Sequence, residues 1–287
     1  MLLTILAFLA SLVPSILIFV LLKRRHGKEK KEIENKADDT TAETMPLSGE
    51  NEEQDTEPSP VSEPSPVSPA LPASPPDNVL TYRKYCTSAF VRGMLCALPI
   101  IALSGILFIL NGVLRTTLLV NMPVLLYKAI YNFIVLALVE EIVKFIAFKL
   151  FLKKKPFAYS SADIVAIMVI IGTGFGLLES VLYAIDSSPI VMLVRGITIG
   201  HAGYGFLMGL LYAKRMQTGK KVYGFLAVLI PWLIHGLYDF SLSPELIQVN
   251  DNFAFLGVSL ALLDVVLLIL MICYFVNAKK KAKTAKS

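Results

Sequence analysis

Seven apolar runs recur along this 287-residue chain. Each is near or above the ~20 residues that an α-helix needs to cross a bilayer. Hydrophobic residues make up 55% of the chain, which is too apolar for an ordinary soluble domain. The sequence therefore predicts an all-α integral membrane protein, with an N-terminal anchor helix and a bundle of about six transmembrane helices. The anchor run covers 2–22, and the others lie at 89–111, 122–150, 161–184, 189–213, 221–241 and 254–276.

A different composition separates the first run from the rest. Residues 26–85 are first rich in mixed charge, then acidic, and then contain the hexad Glu-Pro-Ser-Pro-Val-Ser twice, at 57–62 and 63–68. Such a segment buries too little apolar surface to fold, so it is predicted to be a disordered cytoplasmic linker. It acts as a spacer or as a docking segment for a cytosolic partner. The predicted domains are an anchor at 1–25, this linker at 26–85, a transmembrane domain at 86–277 and a basic tail at 278–287.

The positive charges predict an orientation and exclude one function class. Lysines and arginines cluster at the ends of apolar runs, so the net charge of +5 is no sign of nucleic-acid binding. By the positive-inside rule, the N-terminus lies outside the cell membrane and the C-terminus in the cytoplasm. The clusters assigned to the cytoplasmic side are Lys23–Lys31, Lys153–Lys155, Lys214–Lys221 and Lys279–Lys286, whereas Asp186, Glu245 and Asp251 fall in the opposite loops.

Four consecutive runs carry ionisable side chains deep inside them, although a charge at the bilayer centre costs at least ~2.5–3.5 kcal/mol. Counting residues from the run ends at the helical rise places Glu140, His201 and His235 at one level, roughly 18–20 Å from a face. The ionisable side chains of the four runs can therefore meet in one cavity if the helices form a bundle. The motifs are Glu140-Glu141-x-x-Lys144, Phe175-x-x-x-Glu179, His201-x-x-x-Gly205 and His235-x-x-x-Asp239.

Spacing within each helix predicts different tasks for neighbouring groups. Residues four apart share a helix face, which places His235 over Asp239. Glu141 lies about 100° round the helix from Glu140, so the two carboxylates serve different purposes. Glycines around the motifs allow close helix contact and leave room for water. Two single charges, Arg195 and Asp264, are expected to be paired within the bundle.

Two mechanisms fit these side chains, and the sequence does not choose between them. Histidines and carboxylates that converge can hold a zinc ion, which lowers the pKa of bound water towards ~7. A spare carboxylate then serves as the general base. Without a metal, a buried carboxylate activates water directly, and histidine donors stabilise the oxyanion.

The four motifs, in this order and one per successive run, resemble the PrsW family of intramembrane proteases. That family shares a clan with the type II CAAX prenyl endopeptidases and the Abi membrane proteins. Lys144 and Glu179 are closer to PrsW than to the CAAX enzymes, which tend to have arginine and histidine there. The resemblance covers about residues 90–276. It implies an intramembrane endopeptidase whose substrate is a membrane protein such as a single-span regulator, in regulated, site-1-type proteolysis.

Under this hypothesis the catalytic residues are Glu140, Glu141 and His235, with Glu140 as the base. A divalent metal, expected to be Zn²⁺, is bound by Glu179, His201 and His235, with Asp239 as a further candidate, or these groups position water instead. Lys144, Phe175 and Gly205 support the site. A proton- or cation-coupled transporter and a non-catalytic membrane scaffold are the alternatives, because intramembrane carboxylates and histidines also form proton relays.

Overall fold

The computed structural model describes residues 9, 12–24, 79–117, 121–154, 160–183 and 200–284. Every element in this part of the chain is helical, and residues 12–24 form α1. A π-helical segment, Ile130–Leu138, joins α3 to α4. The other helices are α2 (Val79–Thr117), α3 (Val124–Ala129), α4 (Val139–Lys154), α5 (Ser161–Tyr183), α6 (Gly200–Thr218), α7 (Lys221–Ser241), α8 (Pro244–Val249) and α9 (Asn252–Thr284).

The central helix is α5, which packs against both α2 and α6. From Ile164 to Ile171 its residues are at most 3% exposed, as expected for a helix that is apolar on every face. A capping box begins this helix. The backbone N–H and hydroxyl of Ser160 donate to Asp163 Oδ2, and the Asp163 N–H donates back to Ser160 Oγ. Asp163 therefore has a structural role at the end of the helix.

Glycines bring the backbones of these helices into contact. A Cβ at Gly93 of α2 would lie 2.1 Å from the Ile171 carbonyl oxygen, and one at Gly172 would lie 2.1 Å from that of His201. Small residues permit such close approach between helices in a membrane. At Gly93 and Gly172, the backbone of a neighbouring helix therefore occupies the space beside the glycine.

Three of the described helices are long and apolar enough to cross a membrane by length and composition. They are α5 over Ser161–Val181, α7 over Lys221–Ser241 and α9 over Asn252–Lys281. These helices match the runs predicted at 161–184, 221–241 and 254–276. Much of the outward surface of α9 is apolar, with Phe255 70% and Leu262 62% exposed. Such a surface suits contact with lipid.

Several predicted boundaries differ from the structure. The helix expected at 89–111 begins at Val79, inside the predicted linker, because Tyr82, Cys86 and Ala89 pack into the buried core. It continues to Thr117, six residues beyond the predicted end at 111. The predicted basic tail begins inside a helix, since α9 runs to Thr284. The rest of the linker and residues 184–199, with Arg195, lie outside the described residues.

Candidate active site

Three helices bring a carboxylate and two imidazoles together. Glu140 lies at the start of α4, His201 at the start of α6 and His235 in the middle of α7. One ligand atom from each side chain lies within 4.8 Å of those of the other two. All three side chains are buried. The structure therefore gathers residues that are 95 positions apart at the extremes.

Carboxylates surround the Nε2 atoms of both imidazoles. The His201 Nε2 atom lies 2.5 Å from Glu179 Oε2. The His235 Nε2 atom lies 3.2 Å from Asp239 Oδ2 and 3.8 Å from Glu140 Oε2. Asp239 thus contacts His235 from one turn further along α7.

A buried ion pair connects the opposite nitrogen atoms of the two rings. Lys144 Nζ lies 2.6 Å from Glu141 Oε1 and 2.8 Å from His201 Nδ1. The same Glu141 oxygen lies 2.9 Å from His235 Nδ1. Because both Nδ1 atoms are engaged by this pair, both Nε2 atoms face the other carboxylates. Hydrogen bonds of this kind orient imidazoles at metal sites.

Aromatic rings enclose the same group. Phe175 packs edge-on against the His201 ring at 4.7 Å, and its own ring lies 4.5 Å from Lys144 Nζ. Tyr204 stacks on His235 at 5.1 Å, and the two imidazoles are nearly perpendicular at 5.0 Å. These contacts restrict the rotation of both imidazoles.

The π-helical segment ends directly before the site. Within it, the Phe133 carbonyl oxygen accepts a hydrogen bond of 2.6 Å from Trp232 Nε1 on α7. Gly236 makes room for the Phe133 ring, which would lie 2.6 Å from a Cβ at that position. π-helical turns often occur at functional sites. Here the segment positions the start of α4, with Glu140 and Glu141, against α7 with His235.

Comparisons with known proteins agree with this geometry. The model of the PrsW family of intramembrane metalloproteases matches residues 82–275. The chain belongs to the PrsW family. It is 32% identical over 171 residues to Protease PrsW of Clostridioides difficile (strain 630), covering 52% of this chain and 71% of the relative. It is 30% identical over 121 residues to Protease PrsW of Shouchella clausii (strain KSM-K16), covering 41% and 56% respectively. No solved structure gives a significant match.

Membership of the PrsW family confirms the resemblance and favours a protease over a transporter or a scaffold. The donor set also fits the metal that this family name implies. The two imidazole nitrogens are ligands that Zn²⁺ accepts at catalytic sites, and carboxylate oxygens of Glu140, Glu179 and Asp239 lie beside them as candidates for a third ligand. Three protein ligands leave one position for water or substrate. The chemistry of the donors therefore supports a divalent metal at this site.

The contact of Lys144 with His201 adds a condition to metal binding. An imidazole that binds a metal through Nε2 carries its proton on Nδ1 and donates from there. Lys144, 2.8 Å from His201 Nδ1, then has to accept that hydrogen bond as a neutral amine. With a protonated Lys144, Nδ1 accepts instead, and Nε2–H donates to Glu179. The hydrogen bond at His201 Nδ1 is thus linked to the ability of His201 to bind a metal through Nε2.

The structure separates the PrsW motif residues into those at the site and one beyond it. Gly205, expected to support the site, lies against the Met168 carbonyl, where a Cβ would be 2.8 Å away. It packs α6 on α5 because the two helices cross there. Tyr204, beside His235, was not anticipated, and its only sequence signal was its place within the histidine motif. Asp264 was expected to be paired, but neither of its buried oxygens has a hydrogen-bond partner among the described residues.

Proposed function

We propose that this chain is an intramembrane endopeptidase that hydrolyses a peptide bond of a membrane-embedded or membrane-adjacent protein at Glu140, His201 and His235. The observation that carries the proposal is the orientation of the two imidazoles. The Lys144–Glu141 pair holds both rings by Nδ1, and both Nε2 atoms face carboxylates. Prearranged donors and a base around one point are the requirements of peptide hydrolysis.

Glu140 is the carboxylate best placed to act as the general base. Its Oε2 atom is buried and has no hydrogen-bond partner among the described residues. Glu179 and Asp239 are instead engaged by His201 and His235 at 2.5 and 3.2 Å. Glu140 is therefore free to take a proton from the attacking water. It can then deliver that proton to the leaving amine.

His201 and His235 would hold a divalent metal, which we assign as Zn²⁺, with Glu179 as the third ligand and Asp239 as a further one. When bound, such an ion lowers the pKa of water and polarises the scissile carbonyl. Glu141 orients His235 through Nδ1 and contacts Lys144 Nζ with the same oxygen. Phe175 and Tyr204 exclude bulk water from the two imidazoles.

The remaining parts of the chain fit a membrane enzyme of defined orientation. We propose an anchor at residues 1–25 with the N-terminus outside, and six further spans with the C-terminus in the cytoplasm. Because α2 begins at Val79, the cytoplasmic linker is shortened to residues 26–78. The substrate would be a single-span membrane regulator, and the linker would serve as a spacer or bind a cytosolic partner.

The test uses the full-length protein in detergent with a purified single-span substrate. We expect Glu140→Gln to lower the cleavage rate by about 10²–10⁴-fold, because the general base is lost. The control is the variant Asp251→Asn, which should cleave like the wild type. Asp251 is an exposed acidic residue outside the candidate active site. Wild-type cleavage by both Glu140→Gln and His235→Ala would contradict the proposal.

Metal content separates the roles of the same residues. Glu140→Gln should retain the metal, because Glu140 acts as a base. The double variant His201→Ala/His235→Ala should lose it. Thermal unfolding of each variant shows whether the fold survives. Loss of metal by Glu140→Gln in a folded protein would make Glu140 a ligand and move the base to another carboxylate.

A further inference from the structure

A cavity separate from the active site lies between α1 and the first turns of α2. Its volume is about 860 Å³, and four of its lining residues are cations. Lys23 comes from the end of α1, while Arg83, Lys84 and Arg92 come from α2. No acidic residue among those that the structure describes lines the cavity. Four positive charges that share one cavity repel each other unless an anion lies among them.

The cations have no acidic partner in the described part of the chain. None of the four forms an ion pair there with a carboxylate. Two of them pack on aromatic rings instead. Lys23 Nζ lies 5.3 Å from the Phe19 ring centroid, and the Arg92 guanidinium lies 5.8 Å from that of Phe151. These contacts leave N–H groups available to an external anion.

The wall of the cavity changes from polar to apolar along one face of α2. Residues 84, 88, 91 and 95 follow each other at helical spacing and so share that face. Ser88 provides a hydroxyl close to the cations. Val91 and Leu95 follow and are 45% and 55% exposed, and Leu98, which is the next residue on that face and lies outside the cavity, is 51% exposed. A ligand that matches this wall has an anionic end and a hydrocarbon end.

We propose that this cavity binds the headgroup phosphate of an anionic phospholipid, with an acyl chain along Val91, Leu95 and Leu98. Basic pockets between transmembrane helices are known lipid headgroup sites. The phosphate lies between Lys23 and Arg83 and connects α1 to α2, two helices that are separated in sequence by the linker. A free phosphate ion would satisfy the cations but leave the apolar wall without a partner.

The experiment counts lipids bound to the full-length protein by native mass spectrometry in detergent. The probes are phosphatidylglycerol, phosphatidylcholine and inorganic phosphate. We expect selective binding of phosphatidylglycerol, and an affinity about tenfold or more lower in the variant Arg83→Gln/Arg92→Gln, since each basic residue contributes about tenfold or less. The charge-preserving variant Arg83→Lys/Arg92→Lys should bind within about threefold of the wild type. It also shows whether any loss follows charge or misfolding.

The matched control is Lys279→Gln/Lys280→Gln, which removes two cations from the end of α9 and should not change binding. An equal loss in this control would show non-specific attraction and overturn the proposal. Equal binding of phosphatidylcholine would also overturn it, as would displacement of the lipid by equimolar inorganic phosphate. Binding that appears only after deletion of residues 26–78 would identify the acidic linker as the occupant and contradict a lipid site.

Discussion

At the scale of single residues, the proton on His201 connects structure to chemistry. Its Nδ1 atom faces Lys144 and its Nε2 atom faces Glu179, so the ring carries its proton towards one or the other. A metal on Nε2 requires the proton on Nδ1 and an acceptor at position 144. Arginine has donors only, whereas glutamine offers both an amide oxygen and an amide N–H.

We therefore expect Lys144→Gln to retain bound metal and Lys144→Arg to lose it. In the glutamine variant the amide oxygen accepts from His201 Nδ1–H, and the amide N–H donates to Glu141. The guanidinium instead forces Nδ1 to accept and leaves the proton on Nε2. Elemental analysis of the purified, folded variants measures the difference. An arginine variant with full metal content would show that His201 does not bind the metal through Nε2.

Asp264 and Asp163 are both buried but differ in their contacts. Asp163 takes part in the capping box of α5, whereas the oxygens of Asp264 have no hydrogen-bond partner among the described residues. Burial of an unsatisfied polar group costs about 1–3 kcal/mol. Asp264→Asn removes a charge without breaking a hydrogen bond, so it should raise the unfolding temperature in detergent. Asp163→Asn should lower it, since a weakened cap costs about 1 kcal/mol. A lower unfolding temperature for Asp264→Asn would reveal a stabilising role for that carboxylate.

At the scale of secondary-structure elements, the π-helical segment and α7 together set the position of the catalytic carboxylates. Their contact depends on Gly236, because a Cβ there would lie 2.6 Å from the Phe133 ring. Gly224, on the same helix, is a matched control. The three atoms nearest to a Cβ at Gly224 all belong to the flexible side chain of Arg215.

Gly236→Ala should lower the cleavage rate by about tenfold or more, because a displacement of about 1 Å at a catalytic site can cost 10²-fold. The mutation pushes Phe133 away and moves Glu140 and Glu141 relative to His235. Gly224→Ala should cleave like the wild type. The rates are compared at saturating substrate, with circular dichroism to confirm helical content. If Gly236→Ala retained full activity, the register of the π-helical segment would not matter for catalysis.

The sequence predicts α5 and α7 well, since their apolar runs begin at Ser161 and at Lys221 with clear polar boundaries. The contact between Glu141 and Lys144 depends only on spacing within one helix. The contact of Glu141 with His235 depends on the rotation of two helices that are 94 residues apart. The sequence does not predict the π-helical segment either, because Ile130–Leu138 is as apolar as an ordinary transmembrane α-helix. Its contact with Trp232 comes from a distant helix.

At the scale of the whole molecule, the distribution of charge predicts how the chain crosses the membrane. The C-terminal part of α9 carries Lys279, Lys280 and Lys281, whereas Asp251 directly precedes its N-terminus. Positive residues remain in the cytoplasm because translocating them is unfavourable. The direction of α9 therefore reports the orientation of the helices packed against it, α6 and α7.

Single-cysteine variants at the two ends of α9 test this orientation. Asn252 and Thr284 are both exposed, and Cys86, Cys96 and Cys273 are first replaced by alanine to remove background labelling. In intact cells a membrane-impermeant maleimide should label Asn252→Cys, while Thr284→Cys should react only after permeabilisation. The reverse pattern would place the basic end outside, contrary to the positive-inside rule. Because Asn252 lies at the outer end of α9 in this arrangement, its labelling also assigns the short α8 before it to the outer surface.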